Sequence, residues 1–362
     1  MKKRARLVTA ILFLGLCFGP LAMTSASPAQ DQEKTTEQVF KNIQVLKGLP
    51  ASQLQPIMAI LTASLGVRCN HCHTNQFDKD DRPAKQAARR MMRMVLDLNK
   101  ETFSGKDAVN CYTCHRGQPK PVAVTPVGTN LWQRPGAAGA KPDAALPALE
   151  HLLDRYEQAV GGKAALMKIT TRVMKGSRIG ADGVLVPEEV YQSASNKLLV
   201  VTSYRDAVFR KGFDGARGWA RSSQGESPIS KEELAELERD AEFYGEIKLR
   251  ELYPQMSVEG KTVIGDREAF TVAAVGRRGL GERLYFDAET GLLLRRYREF
   301  KTPLGLFPMQ TDYEDYKEVD GVRLPVLIRW SMPGRSWGRK ITEVKHNTGI
   351  DDSIFSPAGG KG

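Results

Sequence analysis

Two short motifs place paired thiols next to an imidazole at a fixed spacing. Each reads Cys-x-x-Cys-His, once over residues 69–73 and once over residues 111–115. This spacing is the attachment signal for c-type haem, because two thiols about one turn apart can form thioether bonds along one edge of a porphyrin. The histidine that follows, His73 or His115, then lies under the iron as an axial ligand. The sequence therefore predicts two covalent haem c groups, held by Cys69, Cys72, Cys111 and Cys114.

A structural zinc site is the alternative use of these cysteines, because two Cys pairs can build a tetrahedron of four thiolates around zinc. That alternative leaves the histidine directly after each pair without a role. The remaining cysteine, Cys17, lies in an apolar N-terminal stretch, so no cysteines are left for a disulfide framework. Haem attachment is therefore favoured, and a visible spectrum separates the two, since haem c is red and zinc is colourless.

The second axial ligand of each iron decides between electron transfer and catalysis. A methionine sulfur closes the iron to other ligands, whereas an open position allows peroxide or oxygen chemistry. Met58 precedes the first motif and Met91 precedes the second, each on an expected helix, with Met94 as the alternative one turn after Met91. Methionines are usually core side chains, but the core of so short a region would be largely porphyrin, so a core-facing methionine would face haem.

The other histidines are weaker ligand candidates. His71 lies inside a motif, where the geometry keeps it from its own iron, and His151 and His346 lie far from both motifs in the sequence. No catalytic residue is implied by any of these patterns.

The elements that position the motifs are expected to be helices. A first helix begins at a Thr35 or Thr36 cap and closes at Gly48, and a second begins at Ser52 and ends at Gly66. Leu54, Met58, Leu61 and Leu65 recur at helical spacing, so they share one face of the second helix. A third helix over 83–98 places Lys85, Arg89 and Arg93 opposite an apolar side made of Met91, Met94, Val95 and Leu98.

The composition changes after the second motif, and four segments follow from it. Residues 1–29 are a signal peptide, 30–120 a diheme cytochrome c domain, 121–147 a linker rich in Pro, Ala and Gly, and 148–362 a second domain. Few contacts are expected to cross the linker. The fold class is mixed: an N-terminal all-α multihaem cytochrome c domain, then an α+β domain with a curved antiparallel sheet.

The second domain is predicted from its turn signals and two helices. Short runs rich in Val, Tyr, Leu and Arg are interrupted by pairs of turn residues, as in successive antiparallel hairpins. The predicted helices cover about 148–160 and 230–252. The turn pairs are Asp182-Gly183, Asp214-Gly215, Gly265-Asp266, Thr290-Gly291 and Asp320-Gly321.

The N-terminus predicts export. Lys2, Lys3, Arg4 and Arg6 precede an apolar run over 7–23, and small residues near Ala26 and Ala29 offer cleavage sites. Retention of this run as a membrane anchor is the alternative. The net charge of +11 includes the four N-terminal cations, and the other basic residues are too dispersed for a nucleic-acid surface. A periplasmic location follows, with peripheral membrane association left open.

Four stretches resemble a known family, the cytochrome c subunit of photosynthetic reaction centres. They are Leu-Gly-Val-Arg-Cys over 65–69, Ala-Arg-Arg-Met-Met-Arg-Met over 88–94, Asp-Leu-Asn over 97–99, and Cys-Tyr-Thr-Cys-His-Arg-Gly over 111–117. The resemblance implies haems held by His and Met, with Met58 and Met91 as the distal ligands. In that family the subunit re-reduces the photo-oxidised chlorophyll pair. Photosynthetic members carry four motifs, whereas this chain has two and a β-rich extension that loosely resembles the half-barrel of periplasmic lipoprotein carriers.

The hypothesis is an exported diheme cytochrome that passes single electrons between redox protein partners and is not an enzyme. The partners could include a membrane-bound electron-transfer complex or a reaction centre. The first alternative is a diheme peroxidase, which needs one iron without a strong sixth ligand. The second is a periplasmic module that binds a lipid or a partner and uses the haem domain as a redox sensor.

Overall fold

The fold is known from a computed structural model that describes residues 33–121, 146–276, 279 and 281–357. The expected signal peptide over 1–29, with Cys17, lies outside the described residues, and so does nearly all of the expected linker. Within the described ranges, every helix is too short or too polar to span a lipid bilayer.

Residues 33–121 form helices joined by turns. The first helix is much shorter than the sequence predicts, because Phe40 is extended and Asn42 has a left-handed backbone with φ of 58°. The Asn42 side chain instead donates to the Asp78 carbonyl at 2.5 Å and to Asp80 at 3.0 Å. The α-helices of this region are α1 (Thr36–Val39), α2 (Leu54–Leu65), α3 (Pro83–Glu101) and α4 (Cys111–His115).

Helix α2 ends at Gly66 as predicted, but its most buried face is rotated from the expected one. Gly66 takes the left-handed conformation, with φ of 63°, that commonly ends helices. Met58 and Leu61 are only half-buried, at the edge of the core. The buried residues of α2 are Leu54, Ile57, Ile60 and Ser64.

Helix α3 buries the side that was expected to be polar. Lys85 and Arg89 are 8% and 6% exposed, because the loop after the first motif folds over them. They share the buried face with Met92, Val95 and Asn99. The opposite side exposes Met91, Met94 and Leu98.

The C-terminal part is a single antiparallel sheet with helices packed on it, as predicted for an antiparallel fold. Its strand order is β6-β5-β4-β3-β2-β1-β13-β12-β11-β10-β9-β8-β7, and the sheet does not close on itself. The strands are β1 (Thr171–Ile179), β2 (Leu185–Ser193), β3 (Lys197–Tyr204), β4 (Ala207–Phe213), β5 (Gly218–Ser222), β6 (Gly225–Ser227), β7 (Gln255–Ile264), β8 (Arg267–Val275), β9 (Gly281–Asp287), β10 (Leu293–Thr302), β11 (Gly305–Val319), β12 (Val322–Met332) and β13 (Arg335–His346).

All five predicted turn pairs lie between consecutive strands, and the glycine of each has a positive φ. These glycines permit the tight reversals because they carry no Cβ to clash there. The predicted helix over 230–252 is interrupted by extended backbone at Glu242 and a short 3₁₀ turn. The helices of this part are α5 (Leu149–Ala159), α6 (Gly162–Leu166), α7 (Lys231–Ala241) and α8 (Leu249–Leu252).

The two parts of the chain are in contact, contrary to the sequence expectation. The turn between β10 and β11 carries Leu304, which is fully buried in the apolar cluster of the helical part with Leu46, Ile57 and Met92. At a second point, Gly334 in the turn between β12 and β13 lies against Thr62 of α2. The sheet therefore completes the core of the helical part.

Candidate functional site

The first motif begins with a single 3₁₀ turn over Cys69–His71. The amide of His73 donates to the Cys69 carbonyl at 3.0 Å, which brings the histidine back over the cysteines. Cys69 is exposed and Cys72 is half-buried, and both are free thiols. Burial raises the pKa of the Cys72 thiol, and the neighbouring Cys69 adds to the rise.

The imidazole of His73 is held by a backbone carbonyl. Its Nδ1 lies 3.2 Å from the Phe77 oxygen, and because a carbonyl only accepts, Nδ1 must carry the hydrogen. This tautomer leaves Nε2 with a free lone pair, as a metal ligand requires. Burial, together with the nearby Lys85 charge, lowers the pKa of His73, which favours the neutral ring.

Helix α3 supports the loop that supplies this carbonyl. The Lys85 ammonium donates to the Phe77 carbonyl at 2.9 Å and to the Lys79 carbonyl at 2.6 Å. Asp80 pairs with Arg89 at 2.8 Å and with Lys85 at 3.2 Å. The hydrogen bond from Arg89, reinforced by Lys85, holds the pKa of Asp80 well below its usual range. Sequence reasoning missed this support. Its signal is that Lys85 and Arg89 lie on the same face of the helix as Met92.

The second motif forms its own short helix, α4. Asn110 caps this helix. Its side-chain oxygen accepts from the backbone N–H of Thr113 at 3.1 Å, and the Thr113 hydroxyl accepts from the backbone N–H of Asn110 at 3.0 Å. The Nδ1 of His115 lies 3.0 Å from the Gln118 carbonyl, so this histidine also has Nε2 free. The two motif histidines thus share one arrangement, although their backbones differ.

An asparagine at the end of α3 holds the approach to the second motif. Asn99 is 5% exposed. Its side-chain Nδ2 donates to the backbone carbonyl of Val109 at 2.8 Å, and its Oδ1 accepts from the backbone N–H of Val109 at 3.0 Å. After the motif, the Gly117 amide donates to the Ser64 carbonyl of α2 at 2.8 Å. A Cβ on Gly66 would lie 2.2 Å from the Gly117 oxygen, so only glycine permits this approach. Sequence reasoning missed the pair of hydrogen bonds between Asn99 and Val109, called the Asn99 clamp. Its signal is that polar Asn99 lies on the same face of α3 as the apolar Val95.

The methionines fall into two environments. Met92 is buried in the apolar cluster, and Met58 lies half-buried against that cluster. Met91 and Met94 are 44% and 51% exposed on the other side of α3. Both Met91 and Met94 are therefore accessible, whereas Met92 is not.

An apolar surface surrounds the motifs. Beyond the α3 residues, Phe77 next to the first motif and Tyr112 within the second are more than half exposed. A groove of about 600 Å³ beside the first motif is lined by Cys69, His73 and Phe77 among others. Exposed apolar side chains grouped around free thiols fit a covalently held apolar group, because such patches mark binding sites.

Other ligand arrangements are not assembled. Among the described residues, no three His, Cys, Asp or Glu side chains come together, so the cysteine pairs do not form the four-thiolate zinc site. His71 and His151 are exposed. His346 lies in the sheet, where its Nδ1 is 2.9 Å from Asp320.

The β10–β11 turn lies directly beside the second motif. A Cβ on Gly305 would lie 3.2 Å from the Cβ of Asn110, the cap of α4. Lys301 of β10 pairs with Asp107 at 2.9 Å, in the loop that enters the motif. The loop and cap of the second motif therefore rest partly on the sheet.

Comparison with known proteins agrees with this geometry. The family model of the photosynthetic reaction centre cytochrome c subunit matches residues 19–142, which include both motifs and α1 to α4. The N-terminal region is therefore similar to this family. Residues 33–121 are called the cytochrome region below.

Curated relatives match part of the chain. The photosynthetic reaction center cytochrome c subunit of Rubrivivax gelatinosus is 36% identical over 104 residues, which is 27% of this chain and 28% of the relative. Cytochrome c-554 of Chloroflexus aurantiacus is 40% identical over 86 residues, 22% of this chain and 20% of the relative. The chain thus spans less than a third of the length of either relative.

Solved structures resemble the sheet instead. A DUF1329 family protein from Desulfovibrio piger has 9% identity and a TM-score of 0.42, covering 59% of this chain and 99% of that protein. A LolA superfamily protein from Nitrosomonas europaea has 12% identity and a TM-score of 0.40, covering 58% and 98%. Neither likeness is close enough to support a functional conclusion.

Proposed function

We propose that the protein is an exported diheme cytochrome c that transfers single electrons between redox partners. The observation that carries the proposal is the matched pair of motif histidines, each with Nδ1 on a backbone carbonyl and Nε2 free. This arrangement is typical of metal-bound histidine. The similarity of the cytochrome region to the reaction centre cytochrome c subunit family supports it.

In this proposal each chemical group of the motifs has one role. The thiols of Cys69, Cys72, Cys111 and Cys114 would form the thioether bonds by adding across the vinyl groups of the porphyrins, and His73 and His115 would supply Nε2 to the irons. Bound haem c would supply reversible one-electron chemistry at its iron. The apolar surface of α3 would exclude water from the porphyrin faces.

The distal ligands in this proposal are Met58 and Met91, with Met94 as the alternative to Met91. The exposure of Met91 and Met94 on the apolar side of α3 supports a thioether from that side. Two methionine-ligated irons would carry electrons rather than turn over peroxide, since no open coordination position would remain. This is why electron transfer is preferred to the peroxidase alternative.

The partners in the proposal are redox proteins on the periplasmic side of the membrane, and a reaction centre is one candidate. The names of the relatives support this choice, but the relatives match less than a third of this chain. The alternative in which the sheet is a lipid-binding module with a redox sensor is not favoured, because the solved structures resemble it too weakly to support it.

Haem content tests the proposal directly. The mature protein, produced in a host that attaches haem c, should keep its pigment in acid acetone and give two haems per chain by pyridine haemochrome. The double variant Cys69→Ala/Cys72→Ala should hold one haem, and so should Cys111→Ala/Cys114→Ala. Pigment that leaves the wild-type protein, or a stoichiometry near zero, would reject the proposal.

A further inference from the structure

A cavity of about 230 Å³ lies in the C-terminal part, away from the haem motifs. It is lined by the sheet and by residues of α5, α7 and the segment that follows α7. Apolar side chains such as Val190, Leu324 and Ile341 line it together with several arginines and glutamates. Each buried charge in this lining is expected to have a partner of opposite charge, because an uncompensated buried charge destabilises the fold.

Most of these charges are paired. Glu282 accepts from Arg296 at 2.9 Å and from Tyr253 at 3.1 Å, and it pairs with Arg239 at 3.2 Å. Burial alone would raise the pKa of Glu282, but Arg296 and Arg239 outweigh it and lower the pKa to about 2. Glu282 is therefore ionised, and its arginines are satisfied.

Arg172 on β1 is the exception. It is 5% exposed and forms no ion pair among the described residues, and the carboxylate whose charge acts on it is Glu246, which also lines the cavity. Its Nε donates to Nε2 of His346 at 3.3 Å and its Nη1 to Gln192 at 3.3 Å. Its Nη2 is buried and has no acceptor among the described residues. The positive charge thus has only neutral hydrogen-bond partners.

The guanidinium of Arg172 is held in place from several sides. Asp320 lies 2.9 Å from Nδ1 of His346, and the Asp240 carbonyl accepts from the Gln192 amide at 2.9 Å, so both partners of Arg172 are themselves fixed. The guanidinium also lies 5.2 Å from the centre of the Phe243 ring. A fixed arginine with one unused N–H in a cavity is preorganised to receive an anion.

A second unused donor lines the same cavity. Arg298 of β10 is 8% exposed, pairs with Glu236 through Nη2, and has no acceptor for Nη1 among the described residues. Native proteins leave few buried N–H groups unsatisfied. Two such groups on arginines that line one cavity therefore indicate an acceptor that this cavity receives from outside the chain.

We infer that this cavity binds a small organic carboxylate with an apolar body, whose acid group accepts from Nη2 of Arg172. The apolar side chains of the lining take the body, and Nη1 of Arg298 offers a second donor for a polar substituent. A medium-chain acid supplies both the acid group and an apolar body for this lining.

Calorimetric titration of the full-length mature holoprotein with octanoate tests this inference. One octanoate should bind per chain, and octanol and inorganic phosphate should each bind at least tenfold more weakly, because one lacks the charge and the other the apolar body. Equal binding of octanol would overturn the inference, and so would the absence of octanoate binding. Binding of phosphate alone would assign the cavity to inorganic anions and would overturn it equally.

Two variants and a matched control locate the site. Arg172→Met should bind octanoate at least tenfold more weakly, and without ligand it should melt at a higher temperature than the wild type, because it removes a buried unpaired charge. Arg298→Met provides a second test of the same cavity, with a weaker but measurable loss. Arg283→Gln, which breaks a pair with Glu259 on a half-exposed part of the sheet, should leave binding unchanged. Wild-type affinity in Arg172→Met would reject the site, whatever the result for Arg298→Met.

Discussion

Each haem iron in the proposed cytochrome depends on one imidazole whose orientation is set by a backbone carbonyl. For His73 that carbonyl belongs to Phe77, which also accepts from Lys85, and for His115 it belongs to Gln118. Carbonyl partners keep the hydrogen on Nδ1 in both rings. The ligating nitrogen is thus chosen by hydrogen bonds that the protein makes without the metal.

The distal methionines are the first prediction at this scale. Met58→Ala and Met91→Ala should each remove part of the near-infrared charge-transfer band between sulfur and iron and lower one midpoint potential, because a methionine ligand raises the potential. Near-infrared absorption and a redox titration measure the two effects. Met92→Leu is the matched control. Met92 follows Met91 in the sequence but is buried, so this variant should leave the band intact. If Met94→Ala, and not Met91→Ala, removes the band, Met94 is the ligand.

At the scale of elements, helix α3 links the two motifs. Its N-terminal half holds the loop after the first motif through Lys85 and Arg89, and its C-terminal end holds the approach to the second through Asn99. These contacts explain why its polar residues lie on the buried face. One rigid helix thus sets the positions of both histidines.

The Asn99 clamp predicts a measurable loss of stability. Asn99→Ala should lower the free energy of unfolding by about 1–3 kcal/mol, because it leaves the backbone amide and carbonyl of the half-buried Val109 without their side-chain partner. Denaturant unfolding monitored by far-ultraviolet circular dichroism measures this loss. Asn75→Ala, at an exposed position of the loop after the first motif, should have little effect. Equal stability of Asn99→Ala and wild type would show that water replaces the clamp.

The Asp80 ion pairs predict a pH dependence. Because Arg89 and Lys85 hold the pKa of Asp80 below its unfolded value, these pairs stabilise the fold above the ordinary aspartate range. Their contribution is lost as the pH falls below that range toward the folded pKa. Asp80→Asn should therefore be less stable than the wild type near neutral pH, and the gap should narrow in acid.

Unfolding free energies measured from neutral pH to about pH 3 test this dependence, since that interval covers the ordinary aspartate titration near 3.9. Asp97→Asn, an exposed change on α3, should run parallel to the wild type. A gap for Asp80→Asn that stays constant over the whole range would contradict the assignment.

At the scale of the whole molecule, the β10–β11 hairpin joins the two parts. Strand β10 carries Arg296 and Arg298 at the cavity, then Lys301 beside the second motif, then leads into Leu304 in the helical core. A fragment that ends near residue 121 would lose Leu304 and expose its apolar neighbours. The expectation of separable halves is therefore replaced by one of mutual dependence.

Leu304 predicts the size of this dependence. Leu304→Ala should destabilise the cytochrome region by about 2–5 kcal/mol, the usual cost of such a truncation in a packed core. Thermal melting followed by the haem absorption reports on that region. Leu306→Ala in the same hairpin, where the side chain is 51% exposed, is the control and should melt like the wild type. An unchanged melt for Leu304→Ala would restore the separable-domain hypothesis.

The sequence alone determined the features that depend on neighbouring residues. Local spacing suffices to predict features that involve only a few consecutive residues. These are the Cys-x-x-Cys-His motifs, the glycine that ends α2 and the five turn pairs between strands. The burial of Lys85 and Asn99, the insertion of Leu304 and the unpaired charge of Arg172 were decided only by the tertiary structure. Each of these features depends on residues that are distant in the chain, or on the absence of a partner among them. The periodicity of a single segment gives no information about either.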